Sequence, residues 1–115
     1  PQPFLNKDAF DVVYSVNVLQ HCSQRDRFIY FKQAHEALKP GGHFLFTVFL
    51  MTENNKNDAC WGYVDKKGRG YTQFFNQLTE CDWDYELYYV LDNIGFEVVK
   101  HGIGGNFYAG IVRKK

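Results

Sequence analysis

Three side chains suited to polar chemistry fall close together near the start of the chain: Ser15, Asn17 and His21. An imidazole such as that of His21 can take a proton from a hydroxyl or an amine. It can equally serve as a cap for its own loop. Asn17 both donates and accepts hydrogen bonds, which suits an amino-acid-like ligand. Asparagine also stabilises turns with no ligand at all. Ser15 is the weaker candidate, because a hydroxyl near a strand end often bonds only backbone. Further along, Trp61, Tyr63 and Tyr71 offer aromatic faces to a substrate, or a small apolar cluster that holds a long loop down. Lys66, Lys67 and Arg69 can meet an anion or simply solvate a hairpin tip.

Metal chemistry finds little support. His35, His43 and His101 form no His-x-x-x-His pair, and Cys22, Cys60 and Cys81 contain no Cys-x-x-Cys spacing. Three cysteines are an odd number, which argues against a disulfide framework. Reduced thiols in a cytoplasmic protein are the expectation.

The elements that must position these residues are legible in the hydrophobic pattern. Phe10–Val16 is a short apolar run, expected to be a strand buried on both faces as in a parallel sheet. Ser23 with Asp26 resembles a capping box, and Phe28, Phe31, Ala34 and Leu38 follow at helical spacing. Pro40-Gly41-Gly42 stops that helix and turns the chain. His43–Leu50 is a second buried strand, which completes a βαβ unit. The polar stretch 52–82 is long for a connection and is expected to be a lid-like insertion in a single domain spanning 1–115. Within it, Lys67-Gly68-Arg69-Gly70 fits a hairpin tip between Tyr63-Val64 and Tyr71–Phe75. Trp83–Ile94 reads as a second helix with a Leu87, Val90, Leu91, Ile94 stripe and a Gly95 stop. Phe96–Lys100 and Phe107–Val112 are two strands, and the short link Gly102–Asn106 makes them antiparallel.

Composition bounds the rest. The 115 residues suffice for one small domain, and 45% of them are hydrophobic, so a core is feasible. Thirteen basic residues balance thirteen acidic ones, so nothing global points to nucleic acid or an anionic membrane. The most apolar stretch, Phe44–Met51, is far short of the roughly 18 residues of a membrane span. The N-terminus has no signal-peptide pattern and no initiator Met, and reads as a processed, trimmed or fragmentary start.

Four segments, in this order and at this spacing, carry a resemblance: Phe10-Asp11-Val12-Val13, Val18-Leu19-Gln20-His21, Leu38-Lys39-Pro40-Gly41-Gly42 and Gly95-Phe96-Glu97-Val98. Together they resemble the C-terminal half of a class I S-adenosylmethionine-dependent methyltransferase. The fold this implies is α/β: a partial, doubly wound, Rossmann-like sheet, mostly parallel with an antiparallel closing strand. The resemblance places Ser15 and Asn17 beside the methionine part of S-adenosylmethionine, and His21 as a catalytic base. Trp61, Tyr63 and Tyr71 would overhang an unknown methyl acceptor. General physics puts the site at the same place, because open α/β sheets bind ligands beyond the carboxyl ends of their strands.

The family's cofactor signature is absent from these residues. It comprises a Gly-rich loop after one strand and an acidic residue for the ribose hydroxyls. Gly102-x-Gly104-Gly105 is no substitute, since it opens no helix. The strand at Phe10–Val16 is central in the complete fold and would here be an apolar edge, inviting homo-oligomer formation. Two functions follow: methyl transfer with this chain supplying the acceptor side, or a non-catalytic remnant acting as a self-associating or partner-binding module. A nicotinamide-binding domain needs the same glycine fingerprint and fits the closing antiparallel pair less well.

Overall fold

The computed structural model of the chain describes residues 7–74 and 77–115. Its main sheet contains β1 (Phe10–Ser15), β2 (Leu38–Met51), β7 (Phe96–Gly104) and β8 (Phe107–Lys114) in the order β1-β2-β8-β7. β1 pairs parallel with β2, while β8 runs antiparallel to both β2 and β7. So β1, β2 and β7 point one way and β8 alone is reversed, as expected of a closing strand. A two-residue strand β6 (Asp82–Trp83) pairs in parallel with Leu50 and Met51 at the end of β2. A separate antiparallel sheet of β3 (Tyr63–Val64), β4 (Gly70–Phe74) and β5 (Gln77–Glu80) forms most of the insertion. The tip between β3 and β4 is where the sequence places it, with Tyr63 opposite Tyr71. The expected strand end at Phe75 lies outside the described residues.

Local signals set the helix ends. α1 (Gln24–Ala37) is capped by Ser23, whose Oγ accepts from the Asp26 backbone N–H at 3.2 Å. α2 (Asp84–Ile94) begins where Glu86 Oε1 accepts from the Trp83 N–H at 2.9 Å. It ends at Gly95, whose φ of +114° places it in the left-handed region. Lys114 closes α1 from a distance, donating its Nζ to the carbonyls of His35 and Leu38.

Both helices lie on one face of the sheet. Phe31 and Ala34 of α1 and Leu87 and Leu91 of α2 pack with Phe44, Phe46, Val48, Phe96, Tyr108 and Val112 in a single core. Phe31 sits edge-on to Phe44 and Phe46, at centroid distances of 5.8 and 5.0 Å. The opposite face is bare among the described residues, and this corrects one expectation. Phe10–Val16 is not buried on both faces: Phe10, Val12 and Val16 are about half exposed and Tyr14 is 74% exposed. Only Val13 on β1 packs against the core. The physical reason is that among the described residues β1 is an edge strand paired only with β2, and no helix crosses its outer face.

Pro40-Gly41-Gly42 is also built differently from a plain turn. Pairing runs from Phe10 with Leu38 directly to Val12 with His43, so residues 39–42 bulge opposite Asp11. Gly41 takes φ +84°, and a Cβ on Gly42 would lie 2.9 Å from the Lys39 carbonyl and 3.0 Å from that of Asp11. Glycine is required here for close backbone approach.

Candidate functional site

The carboxyl end of β1 is a short, tightly fixed turn. Asn17 adopts φ +59°, a left-handed conformation that asparagine tolerates better than most residues. Its backbone N–H donates to Thr47 Oγ1 on β2 at 2.9 Å, and Thr47 is buried. A 3-10 turn, Leu19–His21, follows immediately. Leu19 is fully buried in the core and pins this turn to the sheet. Gln20, 8% exposed, donates its Nε2 to Asn17 Oδ1 at 3.3 Å. Its own Oε1 is buried with no hydrogen-bond partner. A buried acceptor without a donor is a costly arrangement unless a ligand completes it.

Ser15 lines a cavity of about 350 Å³ beside this tip, with Tyr14, Val16, Val18 and Tyr30. His21 is exposed at the end of the 3-10 turn. The structure thus brings Ser15, Asn17 and His21 to one end of β1, together with Gln20 and Thr47.

The aromatic candidates are placed elsewhere. Trp61 is 8% exposed and packs with Met51 and Cys81, and its indole Nε1 donates to the Asn55 carbonyl at 2.9 Å. Tyr63 and Tyr71 pair across β3 and β4 with centroids 5.5 Å apart. The Tyr71 hydroxyl donates to Asp65 at 3.2 Å. None of the three lines the cavity at the β1 tip.

The insertion is bolted down at its root. Arg27 is 3% exposed and donates its Nε to Asp82 at 3.1 Å and its Nη1 to the Cys22 carbonyl. Gln24 donates its Nε2 to Asp82 at 2.7 Å and its backbone N–H to the Glu80 carboxylate at 3.2 Å. Arg69 is no solvated tip residue. It grips Glu86 through both terminal guanidinium nitrogens at 2.8 Å, and its Nη1 also donates to the Cys81 carbonyl. That hydrogen-bonded guanidinium holds the Glu86 carboxyl below its usual range. Lys66 and Lys67 remain exposed at the tip. Burial pushes the Cys81 thiol up to about 11, so it is inert near neutrality.

At the other strand ends, Asn55 locks the start of the insertion onto the β7–β8 turn. Its Nδ2 donates to the carbonyls of Leu50 and Gly105 at 2.8 and 2.9 Å, and its Oδ1 accepts from the Thr52 N–H at 2.8 Å. No group of His, Cys, Asp and Glu able to hold a metal ion occurs among the described residues.

This order of strands, with one reversed strand between β2 and β7 and a polar tip after β1, decides the fold. It is the Rossmann-like fold of the methyltransferases, carried in part. Residues 2–46 match the sequence model of a methyltransferase domain. An S-adenosylmethionine-dependent methyltransferase from Mesorhizobium loti superposes with a TM-score of 0.72 at 17% identity, covering 98% of this chain and 65% of that one. A didemethyltoxoflavin N-methyltransferase from Burkholderia thailandensis, solved with its didemethyltoxoflavin and S-adenosylhomocysteine, gives 0.67 at 19% identity, over 96% and 46%. The cyclase SpnF also superposes, at 0.61 and 16% identity, over 99% and 52%. No curated protein matches in sequence. The chain therefore spans less than two thirds of the length of these relatives, and the methyltransferase fold by itself does not fix the reaction.

Gln20 lies within the methyltransferase-like segment Val18–His21, but its residue type alone does not mark it as a site residue. Its signal was position: a polar side chain next to the fully buried Leu19, in a turn too short to let both face water. Thr47 had a similar signal, as the one polar residue in the apolar run Phe44–Met51.

Proposed function

We propose that this chain supplies the acceptor side of an S-adenosylmethionine-dependent methyl-transfer site. The observation that carries the reading is the β1 tip: left-handed Asn17, fixed by Thr47, beside the unpartnered buried Oε1 of Gln20. Those groups fit the amino-acid end of the cofactor. An ammonium donor would satisfy Gln20 Oε1, and Asn17 and Ser15 supply further polar atoms at the same strand end. When bound, the cofactor supplies an electrophilic methyl group. The residues here then orient the acceptor and exclude water, and His21 takes the acceptor's proton. The Gly-rich loop and ribose-binding acid are not among these residues, so a completing segment or partner chain provides them.

Calorimetry with S-adenosylhomocysteine tests this reading. Heat at millimolar ligand, lost in the Gln20→Ala variant, supports it. No heat and no thermal shift at that concentration favours a second reading, a non-catalytic methyltransferase remnant that self-associates. The exposed apolar edge of β1 favours that second reading. Light scattering at micromolar concentration would then find a homodimer formed through Phe10–Val16, converted to monomer by Val12→Lys. For either function we place the protein in the cytoplasm. Its three cysteines are all unpaired, and no helix of the described residues is long and apolar enough to cross a membrane.

A further inference from the structure

A cavity of about 420 Å³ opens where β2 and β7 end, between the start of the insertion, α2 and the β7–β8 turn. Two aromatic rings face it, Tyr88 of α2 and exposed His101 of β7, and buried Tyr108 of β8 backs them. His101 stacks on Tyr108 at 5.6 Å and 18°, and Tyr88 stands edge-on to both rings at 6.4 Å. The Tyr88 and Tyr108 hydroxyls are 3.4 Å apart, which ties the walls together.

The charge in this cavity has one sign. Asp58 and Asp84 line it, and no lysine or arginine does. Asp84 Oδ1 accepts from the Tyr85 N–H, and neither aspartate forms an ion pair among the described residues. The floor is rigid, because buried Asn55 joins Leu50 and Thr52 to Gly105. Leu50 and Ile103 supply apolar wall.

Aromatic faces carry negative potential, and carboxylates reinforce it. Such a box attracts an organic cation and repels an anion. Its volume suits a small ligand, for which pockets run from about 300 to 1,000 Å³. Its place at the carboxyl ends of parallel strands is where α/β sheets bind ligands. We infer that this cavity is a subsite for an organic ammonium group, and that the methyl acceptor carries one. The second clause rests on the methyl-transfer reading above. The ammonium is an anchor: it holds the acceptor by its charge on the β2–β8–β7 side of the sheet, while the β1 tip lies across β2.

The test is an NMR titration of the full chain, without cofactor, using choline and the neutral alcohol in which carbon replaces the quaternary nitrogen. Choline is expected to shift the His101, Tyr88 and Tyr108 resonances and to bind at least about tenfold more tightly than the alcohol. The Asp58→Asn/Asp84→Asn double variant, checked as folded by circular dichroism, should lose most of that preference. Equal affinity for the two probes, no binding of choline at tens of millimolar, or an unchanged preference in the folded double variant overturns the inference. A chain that binds S-adenosylhomocysteine but not choline refutes the ammonium subsite alone. A chain that binds choline but not S-adenosylhomocysteine keeps the subsite and removes its link to methyl transfer.

Discussion

Replacing Asn55 by alanine should cost more than any other single polar truncation near the cavity. The side chain is 3% exposed and makes three hydrogen bonds, each 2.8–2.9 Å long, to Leu50, Gly105 and Thr52. Its backbone bonds, including the one accepted from the Trp61 indole, survive the change. Each lost bond removes about 0.5–1.5 kcal/mol net, so the sum is about 2–4 kcal/mol. That is a large part of the roughly 5–15 kcal/mol by which a domain is stable. Equilibrium urea unfolding, followed by tryptophan fluorescence, measures it directly, since Trp61 is packed against the same turn.

A companion variant, Asn55→Asp, isolates the donor role. The introduced carboxylate still accepts from Thr52 but faces the carbonyl oxygens of Leu50 and Gly105, both acceptors. Near pH 7 it should destabilise at least as much as alanine. Its folded-state pKa is raised, because only the protonated form can donate. Stability is then fully present below the unfolded carboxyl value of about 3.9 and lost as pH rises through the folded value. Relative to alanine, the aspartate variant should therefore recover on acidification. An alanine cost under about 1 kcal/mol, or an aspartate variant as stable as the parent at neutral pH, refutes the view that Asn55 locks the cavity floor.

Three further outcomes are expected. Gly95→Ala forces an L residue into φ +114° and places its Cβ 2.8 Å from His35 Nε2, so thermal melting should show a loss of about 1–3 kcal/mol. Burial first, and Lys114 second, lower the His35 pKa from its ordinary 6.5. A base whose folded pKa is depressed leaves stability intact above the unfolded value and erodes it as pH falls below about 6.5; denaturation midpoints at about pH 7.5 and 5.5 should differ less in His35→Gln than in the parent. Arg69→Met removes a bidentate ion pair whose side chains are 24% and 26% exposed, which should cost about 1–3 kcal/mol and let the Glu86 carboxyl titrate back toward its usual range, visible by NMR.

Local signals proved the most legible part of the fold. The Ser23 cap, the Gly95 stop and the apolar stripe of α2 depend on residues a few positions apart, and the structure has them where the sequence places them. The position of β1 was legible only in part: the near-continuous apolar run predicts burial on both faces, which fails, while the resemblance predicts the apolar edge that the structure has. Arg69 looked like a solvated tip because its neighbours Lys66 and Lys67 are, yet the hairpin carries it 17 residues along the chain to Glu86. Of the two readings of Trp61, overhanging a pocket or holding the loop down in a small apolar cluster, the structure has the cluster, with Met51 and Cys81; the Asn55 carbonyl that receives its indole N–H is not signalled, because an asparagine in a polar run gives no sign of being buried. Gln20 and Asn55 share that difficulty: the fold, not the residue type, decides which loop amides lose water.

The β1 tip and the β1 edge differ in what each needs. Everything that shapes the tip lies within this chain: Thr47 holds Asn17, Leu19 anchors the turn, and Gln20 closes it. Among the described residues the edge beside it pairs only with β2, with Phe10, Val12, Tyr14 and Val16 exposed. A segment that paired along β1 would add backbone hydrogen bonds directly before Asn17 and cover these side chains. It would lie directly before the turn that, on the proposed reading, meets a cofactor's amino-acid end. Two ligands that each favour one ordered state of a turn necessarily strengthen one another by the same factor. On the proposed reading, docking along the edge and cofactor binding at the tip would be linked through the position of Asn17, while the aromatic cavity beyond β2 is floored by Asn55.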